Sequence, residues 1–434
     1  MENKDLWFGA IPPHWTYDKI GILFSERRTK VSDKDYAPLS VARIGVVPQL
    51  ATAVKTDAGD NRKLVCNGDF VINSRSDRKG SCGVADRDGS VSLINIVLTP
   101  RNEWNNRYVH YLMRSQPFSE EYYRYGRGIV ADLWTTRYSE MKSILLPIPP
   151  RTEQDQIVRF LDWKVSVINR LIGIKQRQIE RLEEIKKVVI SKVVTRGLHD
   201  NMSVYWPIIP MKRCLKNISD LDHYMPPSVD DGIPYLMTGD LKKTISAIKL
   251  DNCKQISEES YEMLSQKSKP HIGDVIFARY ATIGTVCYVD IETPFLVSYS
   301  CLTLSPNKLI QGKYIYYYLQ SDVFSNDIRK YIKINTQGNI GKESIKQASI
   351  ILPPLDKQEE IIKYLDRITL EFDTIIQCKN EQSTKLKELK TRLIADAVTG
   401  KIDVRNIEIP DYEFVGEELQ TEEEIAAEGS ENEE

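Results

Sequence analysis

The sequence predicts an α+β protein built as an internal repeat, in which two similar mixed domains alternate with two long helices. Three observations predict this organisation. Residues 153–195 match residues 357–399 without a gap, both copies carry the apolar spacing of a coiled-coil seam, and short strand and helix motifs recur upstream of each copy. A repeat of this kind means that the chain contains two related units rather than one.

Composition sets the size and class of the protein. The chain has 434 residues, of which 41% are hydrophobic and 28% charged, so it is long enough for two or more globular cores. No apolar run approaches the ~18 to 20 residues of a membrane span, and the opening MENKDLWFGAIPPHW lacks the pattern of a signal peptide. We therefore expect the chain to stay in the cytoplasm.

Cysteine usage indicates reduced thiols. The seven cysteines are scattered and never spaced as C-x-x-C, which predicts neither a disulfide framework nor a zinc site. They are Cys66, Cys82, Cys214, Cys253, Cys287, Cys301 and Cys378.

Charge is distributed unevenly between the body and the C-terminus. The net charge is −2, yet the last stretch, GEELQTEEEIAAEGSENEE, holds nine glutamates and no lysine or arginine, so the rest of the chain carries +7. Such a tail is typically a solvated, disordered end, and the alternative is a nucleic-acid mimic or interaction tail. We interpret residues 402–434 as an acidic, disordered tail.

The duplicated segment has the pattern of a long helix. Identities, among them Gln154 with Gln358 and Lys175 with Lys379, fall at a constant offset of 204 positions. An insertion inside a helix would rotate every later side chain by about 100° per residue, so gapless matching preserves one helical face.

Apolar residues recur within each copy at alternating steps of four and three, the spacing of a coiled-coil seam. The first seam comprises Leu161, Val165, Ile168, Ile172, Lys175, Ile179, Leu182, Lys186 and Val189. The second comprises Leu365, Thr369, Phe372, Ile376, Lys379, Ser383, Leu386, Lys390 and Leu393. Helices of about 40 residues are far longer than the usual 11 to 12, which favours packing on one another over two ordinary amphipathic helices.

Proline and glycine mark the ends of both helices. Pro149 and Pro150 precede the first copy, as Pro353 and Pro354 precede the second, and proline suits the start of a helix because it has no N–H to donate. Gly197 and Gly400 follow the last helical residues, where glycine commonly terminates a helix.

The segments before each helix are also related. GDFVINSR at residues 68–75 resembles GDVIFAR at 273–279, and RYVHYLMRSQPF at 107–118 resembles KYIYYYLQSDVF at 313–324. Runs such as FVINS, VIFARY, TVCYVD and FLVSYSCLTL predict strands, whereas RYVHYLM and KYIYYYL have helical spacing. Each domain is therefore expected to be α+β.

The sequence lacks recognisable catalytic motifs. The Pro-Pro pairs do not form the adenine-methylating signature, and there is no P-loop, zinc motif or G-x-S-x-G elbow. Nuclease-like E-x-K triplets occur from Glu184 to Lys186 and from Glu388 to Lys390, but both lie beside the seam, where charged pairs are routine. We expect no catalytic residue and no metal site.

Polar, glycine-containing loops supply candidate nucleic-acid contacts. Arginine, glutamine and asparagine have the paired donors and acceptors that match base edges, although such loops are more often ordinary surface loops. The candidates come from NSRSDRKGS, GRG, ARYATIG and TQGNIGK, and they are Arg75, Arg78, Lys79, Arg127, Arg279, Gln337, Asn339 and Lys342.

These motifs resemble those of the specificity subunits of type I restriction-modification systems. The similarity is carried by LPIPPRTEQDQI and ILPPLDKQEEI before the helices, by GDFVINSR and GDVIFAR in the domains, and by TQGNI and AVTGKIDV. It covers residues 10–405. It implies target-recognition domains at 1–150 and 199–354, and spacer helices at 151–198 and 355–401 that form an antiparallel coiled coil.

The resemblance also implies a division of labour between subunits. Each domain would read one half of a split, asymmetric site in double-stranded DNA, and the helices would dock two methylation subunits, with restriction subunits in the full complex. S-adenosylmethionine, ATP and magnesium would be bound by those partners and not by this chain. The alternatives are a recognition module of a related solitary modification system and a coiled-coil scaffold that does not bind DNA.

Overall fold

The computed structural model describes residues 6–49, 59–75, 79–128, 134–198, 206–280, 282–331, 333–334 and 338–416. The chain divides into two compact units, Met1–Arg177 with Asn380–Glu434, and Gln178–Lys379. Each unit therefore contains one mixed domain and part of both long helices. Within the described ranges, no helix is both long and apolar enough to cross a membrane.

The first domain combines eleven described strands with four helices. The strands are β1 (Thr16–Lys19), β2 (Phe24–Glu26), β3 (Lys30–Val31), β4 (Leu39–Ala42), β5 (Gly45–Pro48), β6 (Arg62–Val65), β7 (Phe70–Asn73), β8 (Cys82–Val84), β9 (Gly89–Val91), β10 (Asn95–Pro100) and β11 (Leu145–Ile148). The helices are α1 (Ile20–Leu23), α2 (Asn106–Arg114), α3 (Gln116–Arg124) and α4 (Tyr138–Met141).

The long helix α5 (Arg151–Arg196) follows, and the second domain repeats the plan. Its strands are β12 (Ile208–Pro210), β13 (Leu215–Ser219), β14 (Ile233–Leu236), β15 (Lys254–Ile256), β16 (Val275–Ala278), β17 (Val286–Tyr288), β18 (Leu296–Val297), β19 (Cys301–Pro306), β20 (Lys333–Ile334), β21 (Gly338–Asn339) and β22 (Ser349–Ile351). Its helices are α6 (Glu258–Ser265), α7 (Gly312–Leu319), α8 (Asp322–Arg329) and α9 (Lys342–Gln347), and the long α10 (Leu355–Val398) follows. Residues 402–416, the first part of the expected disordered tail, instead make defined contacts with the first unit, where Val404 is buried and the Gln156 amide donates to the carbonyls of Val404 and Ile407.

The two domains share their central topology. A four-stranded antiparallel sheet has the order β2-β10-β7-β8 in the first domain and β13-β19-β16-β17 in the second. Antiparallel pairing also joins the first described strand of each domain to its last, β1 to β11 and β12 to β22. The predicted strand and helix segments, and the predicted α+β class, are confirmed.

The smaller sheets differ between the domains. The first domain has the sheet β3-β6-β9 and the hairpin β4-β5, whereas the second has β15-β14-β18, which contains the parallel pair β14 and β18. The repeat therefore preserves the central sheet and the pairing of the first and last strands, and it changes the smaller sheets.

Each domain packs its central sheet on the start of one long helix and the end of the other. In the first unit, Ile157 and Leu161 of α5 share a core with Ala397 and Val398 of α10. In the second unit, Ile361 and Leu365 of α10 share a core with Val193 and Val194 of α5. The helices are thus antiparallel within each unit, and together they form the expected antiparallel coiled coil.

A buried glutamine accounts for the repeated phrase at the helix starts. The side-chain amide of Gln154 donates to the Pro149 carbonyl over 3.0 Å and accepts from the Asn105 N–H over 3.0 Å. Gln358 makes the same bonds to the Pro353 carbonyl and the Gln311 N–H, at 2.8 and 2.8 Å. The proline pair ends the last strand, and the glutamine ties the helix start to the loop before α2 or α7.

The helix ends also follow the sequence signals. Gly197 and Gly400 adopt φ angles of +76° and +75°, a left-handed conformation that glycine reaches without steric cost. A buried tyrosine hydroxyl donates to the last turn of each helix: Tyr108 to the Val398 carbonyl over 3.2 Å, and Tyr314 to the Val194 carbonyl over 3.1 Å.

Candidate nucleic-acid interface

In the first unit, the backbones of two predicted arginines pair with the same residue. Arg75 and Arg127 each form a backbone bridge with Thr135, and the Arg127 and Thr135 amides exchange hydrogen bonds of 3.2 and 3.0 Å. Both arginine side chains are exposed. The structure thus brings together two cations that are 52 positions apart in sequence.

Lys79 belongs to the same domain and contacts an aromatic ring. Its ammonium group is 5.6 Å from the centre of the Tyr123 ring, and its carbonyl accepts a 3.2 Å hydrogen bond from Nε of Arg43. Trp134, the neighbour of Thr135, is also exposed. Arg78 lies outside the described residues.

In the second unit, the predicted cations are held by a carboxylate. Arg279 pairs with Asp220 at 2.8 Å and Lys342 pairs with the same carboxylate at 2.5 Å. The Arg279 side chain is only 14% exposed, and its Nε donates to the Tyr299 carbonyl over 3.0 Å. Asp220, which the sequence analysis did not single out, therefore organises this surface.

Aromatic rings complete the second surface. The Arg279 guanidinium lies 5.2 Å from the centre of the Tyr280 ring, and His223 and Tyr299 have ring centroids 4.1 Å apart. Asn339 donates to the Tyr280 hydroxyl over 3.0 Å, while its own Oδ1 is buried without a hydrogen-bond partner among the described residues. Gln337 lies outside the described residues.

The two loop arginines that look alike in sequence are not structural equivalents. Ser74 and Arg279 occupy the matching positions, because their carbonyls accept from Thr136 and Ile340, which are also matching positions. Arg75 therefore corresponds to Tyr280. A shift of one residue in extended chain points the side chain to the opposite side, so Arg75 is exposed while Arg279 turns inward.

Both surfaces combine cations with aromatic rings, and the second adds the amide of Asn339, which suits contact with phosphates and base edges. The sequence analysis selected the cations and amides but passed over Trp134, Tyr280 and Tyr299. Tyr280 lies within the selected stretch ARYATIG, whereas Trp134 and Tyr299 lie outside the selected stretches. The assignment of individual DNA contacts stays a prediction.

In the parts of the chain that the structure describes, no group of three or more His, Cys, Asp or Glu side chains is arranged to hold a metal ion. The carboxylates at the surfaces instead pair with cations, as Asp220 does.

The seam residues show where the helices pack. Leu161, Val165, Ile168, Ile179 and Leu365 are buried, whereas the other predicted apolar seam residues are half-buried, namely Ile172, Leu182, Phe372, Ile376 and Leu386.

The four seam lysines make repeated contacts across the helices. In the first unit, Lys175 donates to Gln382 over 2.7 Å and Lys390 to Asn169 over 3.3 Å. In the second, Lys379 donates to Gln178 over 2.8 Å and Lys186 to Asp373 over 2.8 Å. Each bond in one unit has its counterpart in the other at the offset of 204, so lysine in the seam is part of the packing.

A pair of exposed apolar residues is also repeated. Leu171 and Leu389 belong to the first unit and Ile185 and Ile375 to the second, and all four are between 38% and 53% exposed. Each of these residues comes directly before a seam residue that follows the previous seam residue by a step of four. The two members of a pair therefore lie on the same edge of the antiparallel helices. Exposed apolar patches often mark partner surfaces.

Comparison with known proteins gives a consistent result. A family model described as the type I restriction modification DNA specificity domain matches residues 222–385. The MjaVIII type I restriction enzyme specificity subunit of Methanocaldococcus jannaschii is 24% identical over 285 residues, covering 61% of this chain and 64% of that protein. A second protein of that organism, named for the MjaX specificity subunit, is 22% identical over 89% of both chains.

A solved structure of a type I restriction-modification system contains a chain with the same fold. The TM-score is 0.66 at 16% identity, and the match covers 91% of this chain and 100% of that one. The fold, the duplicated helix phrase and the sequence matches agree. In these respects the chain is similar to type I restriction-modification specificity subunits.

Proposed function

We propose that this chain is the DNA-recognition subunit of a type I restriction-modification complex. Each domain reads one half of a bipartite, asymmetric target in double-stranded DNA, and the chain itself catalyses no reaction. The proposal rests on one observation: the two units repeat the central sheet and its contacts with the long helices, which we call the frame, but differ in the side chains of the two candidate DNA surfaces, which we call the reading surfaces. The repeated frame holds both domains in the same way, and different side chains on the reading surfaces contact different bases.

The paired helices set the separation of the half-sites and dock the methylation subunits. Support comes from the repeated apolar pairs, Leu171 with Leu389 and Ile185 with Ile375. A surface that is repeated in both units suits two copies of the same partner, because each copy can make the same contacts. S-adenosylmethionine, ATP and magnesium belong to the methylation and restriction subunits.

A domain exchange tests the reading function. Residues 1–150 are replaced by the first domain of another family member, and the chain is co-expressed with its methylation subunit. Sequencing of methylated adenines should show a new first half-site and an unchanged second half-site. Methylation of an unchanged target, or DNA binding without any preferred site, would contradict the proposal.

An insertion tests the spacing function. Four residues added after both Gln178 and Gln382 lengthen each helix by roughly 6 Å and rotate the following face by about 400°, which keeps it nearly aligned. Base pairs are about 3.4 Å apart, so the unread gap should grow by about one to two base pairs while both half-sites persist. An active variant with the original gap would show that the helices do not set it.

A further inference from the structure

A loop of the second domain carries two exposed apolar side chains beside the second reading surface. The loop connects β13 to β14, and we call its residues 222–225 the tip loop. Tyr224 and Met225 of the tip loop are 44% and 41% exposed. Two large, largely apolar side chains therefore stand next to each other in solvent, although burial would remove their apolar surface from water.

The tip loop is held at both of its flanks. Leu221, directly before it, is buried in a core cluster that also contains Tyr235, and Pro226, directly after it, is buried as well. Within the loop, the Tyr224 N–H donates to the Asp222 carbonyl over 2.6 Å, which closes a tight turn. The exposed side chains are thus presented by a turn with anchored ends.

Further contacts join the tip loop to the predicted cations of the second domain. The rings of His223 and Tyr299 have centroids 4.1 Å apart, and the Tyr299 carbonyl accepts from Nε of Arg279 over 3.0 Å. Asp220, just before the loop, pairs with both Arg279 and Lys342. Because one carboxylate pairs with two cations, this trio carries a net positive charge. The tip loop therefore belongs to the second reading surface.

The first domain has a strand where the second domain has the tip loop. β2 and β13 hold the same place in the two central sheets, at the edge next to β10 and β19. β2 is followed by β3, which pairs with β6 in another sheet, whereas β13 is followed by the tip loop. At this place in the described chain, the exposed apolar pair is thus a feature of the second domain alone.

The chemistry of the pair suits insertion into DNA. Methionine and other large apolar side chains enter between base pairs and unstack them, while neighbouring cations hold the phosphates. Unstacking is unfavourable, so it needs a fixed support and additional contacts that offset its cost. The anchored turn provides the support, and Arg279 with Lys342 provides the contacts.

We propose that Tyr224 and Met225 form an apolar wedge that inserts between two base pairs at the second half-site. The inference rests on the proposed function, because it presumes that the second domain binds DNA. Insertion is least costly at the pyrimidine–purine steps TA and CA, where stacking is easily opened. The wedge therefore selects a base step through its deformability, in addition to the bases that the polar side chains contact.

The test uses the complex of the full chain with its co-expressed methylation subunit. The probe is a DNA duplex that carries the target identified by sequencing methylated adenines. Permanganate oxidises the ring double bond of thymine where the base is unstacked, and TA and CA steps each contain a thymine on one strand or the other. Insertion is therefore detected as a reactive thymine in the second half-site.

Three variants are compared with the original chain. Tyr224→Ser with Met225→Ser removes the apolar bulk, and Tyr224→Phe with Met225→Leu retains it. Ile272→Ser is the matched control, because Ile272 is 55% exposed in the same domain but precedes the start of β16, whereas Arg279 follows its end. All substituted side chains are exposed, so each variant should fold.

We expect the original chain, the conservative variant and the control to make the same thymine of the second half-site reactive. The serine variant should lower its reactivity to that in the free duplex and weaken binding about tenfold, a loss typical of one wrong base pair. Replacing the reactive step by a purine–purine step should weaken the original chain by a similar factor and the serine variant much less. A purely structural role of the tip loop would not produce this dependence on the base step.

Methyltransferases take their target base out of the stack, so thymines paired with methylated adenines react in every variant. Only a reactivity that the serine substitutions remove counts as insertion. Equal permanganate patterns for the original and the serine variant would overturn the inference, even if the serine variant binds more weakly. Site-specific methylation without any such thymine would refute the wedge alone, whereas loss of site-specific methylation by the original complex would refute the proposed function.

Discussion

The two units hold their domains with the same contacts but build their reading surfaces differently. Gln154 and Gln358 make identical bonds to the preceding loops, and the seam lysines repeat bond for bond. At the reading surfaces, Arg75 and Arg127 are exposed beside Thr135, whereas Arg279 is drawn inward by Asp220. The contacts that are repeated hold the frame, and the contacts that are not repeated are the ones that we propose to distinguish the half-sites.

The difference predicts how each surface responds to mutation. Cations on the first surface act one at a time, because each side chain projects separately. Cations on the second surface share one carboxylate, so removal of Asp220 disturbs Arg279 and Lys342 together. Mutations can therefore test whether the two frames are equally stable and whether the two reading surfaces respond differently.

The largest effect is expected from charges placed in the frame. Leu161 and Leu365 are matching residues with no exposed surface, so Leu161→Asp and Leu365→Asp each bury an unpaired carboxylate at a cost of about 4 kcal/mol or more. Hydrogen exchange should show loss of protection in the unit that carries the substitution. Leu355→Asp, at an exposed position, is the control, and a large difference between the two buried variants would contradict equal frames.

A smaller effect is expected at the shared carboxylate. Asp220→Ala leaves Arg279 largely buried and unpaired, which should cost about 2 kcal/mol of stability. The second half-site should become less selective while the first is unchanged, as read from methylated positions. Asp222→Ala removes an exposed carboxylate that pairs with Lys267 and should change neither property. Relaxation of both half-sites would show that the surfaces are not independent.

Single cations of the first surface should affect affinity without affecting stability. Arg127→Ala removes an exposed side chain, so the free energy of unfolding should change by less than about 0.5 kcal/mol. DNA affinity should fall by about 1–3 kcal/mol if the guanidinium contacts a base edge. Binding curves at several salt concentrations provide the measurement. A fall in stability equal to the fall in affinity would assign Arg127 a structural role instead.

The smallest effects are expected from the helix-capping tyrosines. Tyr108→Phe and Tyr314→Phe each remove one buried hydrogen bond to a helix carbonyl, worth about 1 kcal/mol. Burial raises the pKa of both hydroxyls well above the usual range, so each stays a neutral donor across ordinary pH. Denaturant melts of the two variants should agree closely. If the two losses in the free energy of unfolding differ by more than about 1 kcal/mol, the tyrosine contact does not stabilise both units equally.

Much of the frame could be predicted from the sequence because helical periodicity is local. The seam spacing, the proline pairs and the terminal glycines all act within a few residues of chain, and α5 and α10 begin and end where these signals stand. The duplication in the sequence also predicted that the chain contains two related units. The buried seam residues, such as Leu161 and Leu365, followed from the same spacing.

The reading surfaces were only partly predictable. Lys79, Arg75 and Arg127 are exposed as residues of glycine-containing loops commonly are, but their meeting at Thr135 and Tyr123 depends on loop packing. Aligning Arg75 with Arg279 by motif was misleading, because a one-residue shift in extended chain reverses the side chain. Asp220 is 59 positions from Arg279 and carries no local signal of the pairing.

The sequence by itself determined the class of the fold, the two long helices and the repeat, because each depends on short-range spacing or on self-similarity. Only the tertiary structure decided which predicted cations are exposed and which are held by a carboxylate. Those outcomes depend on contacts between distant residues, such as Arg279 with Asp220. Packing brings the donor and the acceptor of such a contact together, and no periodic pattern in the sequence predicts it.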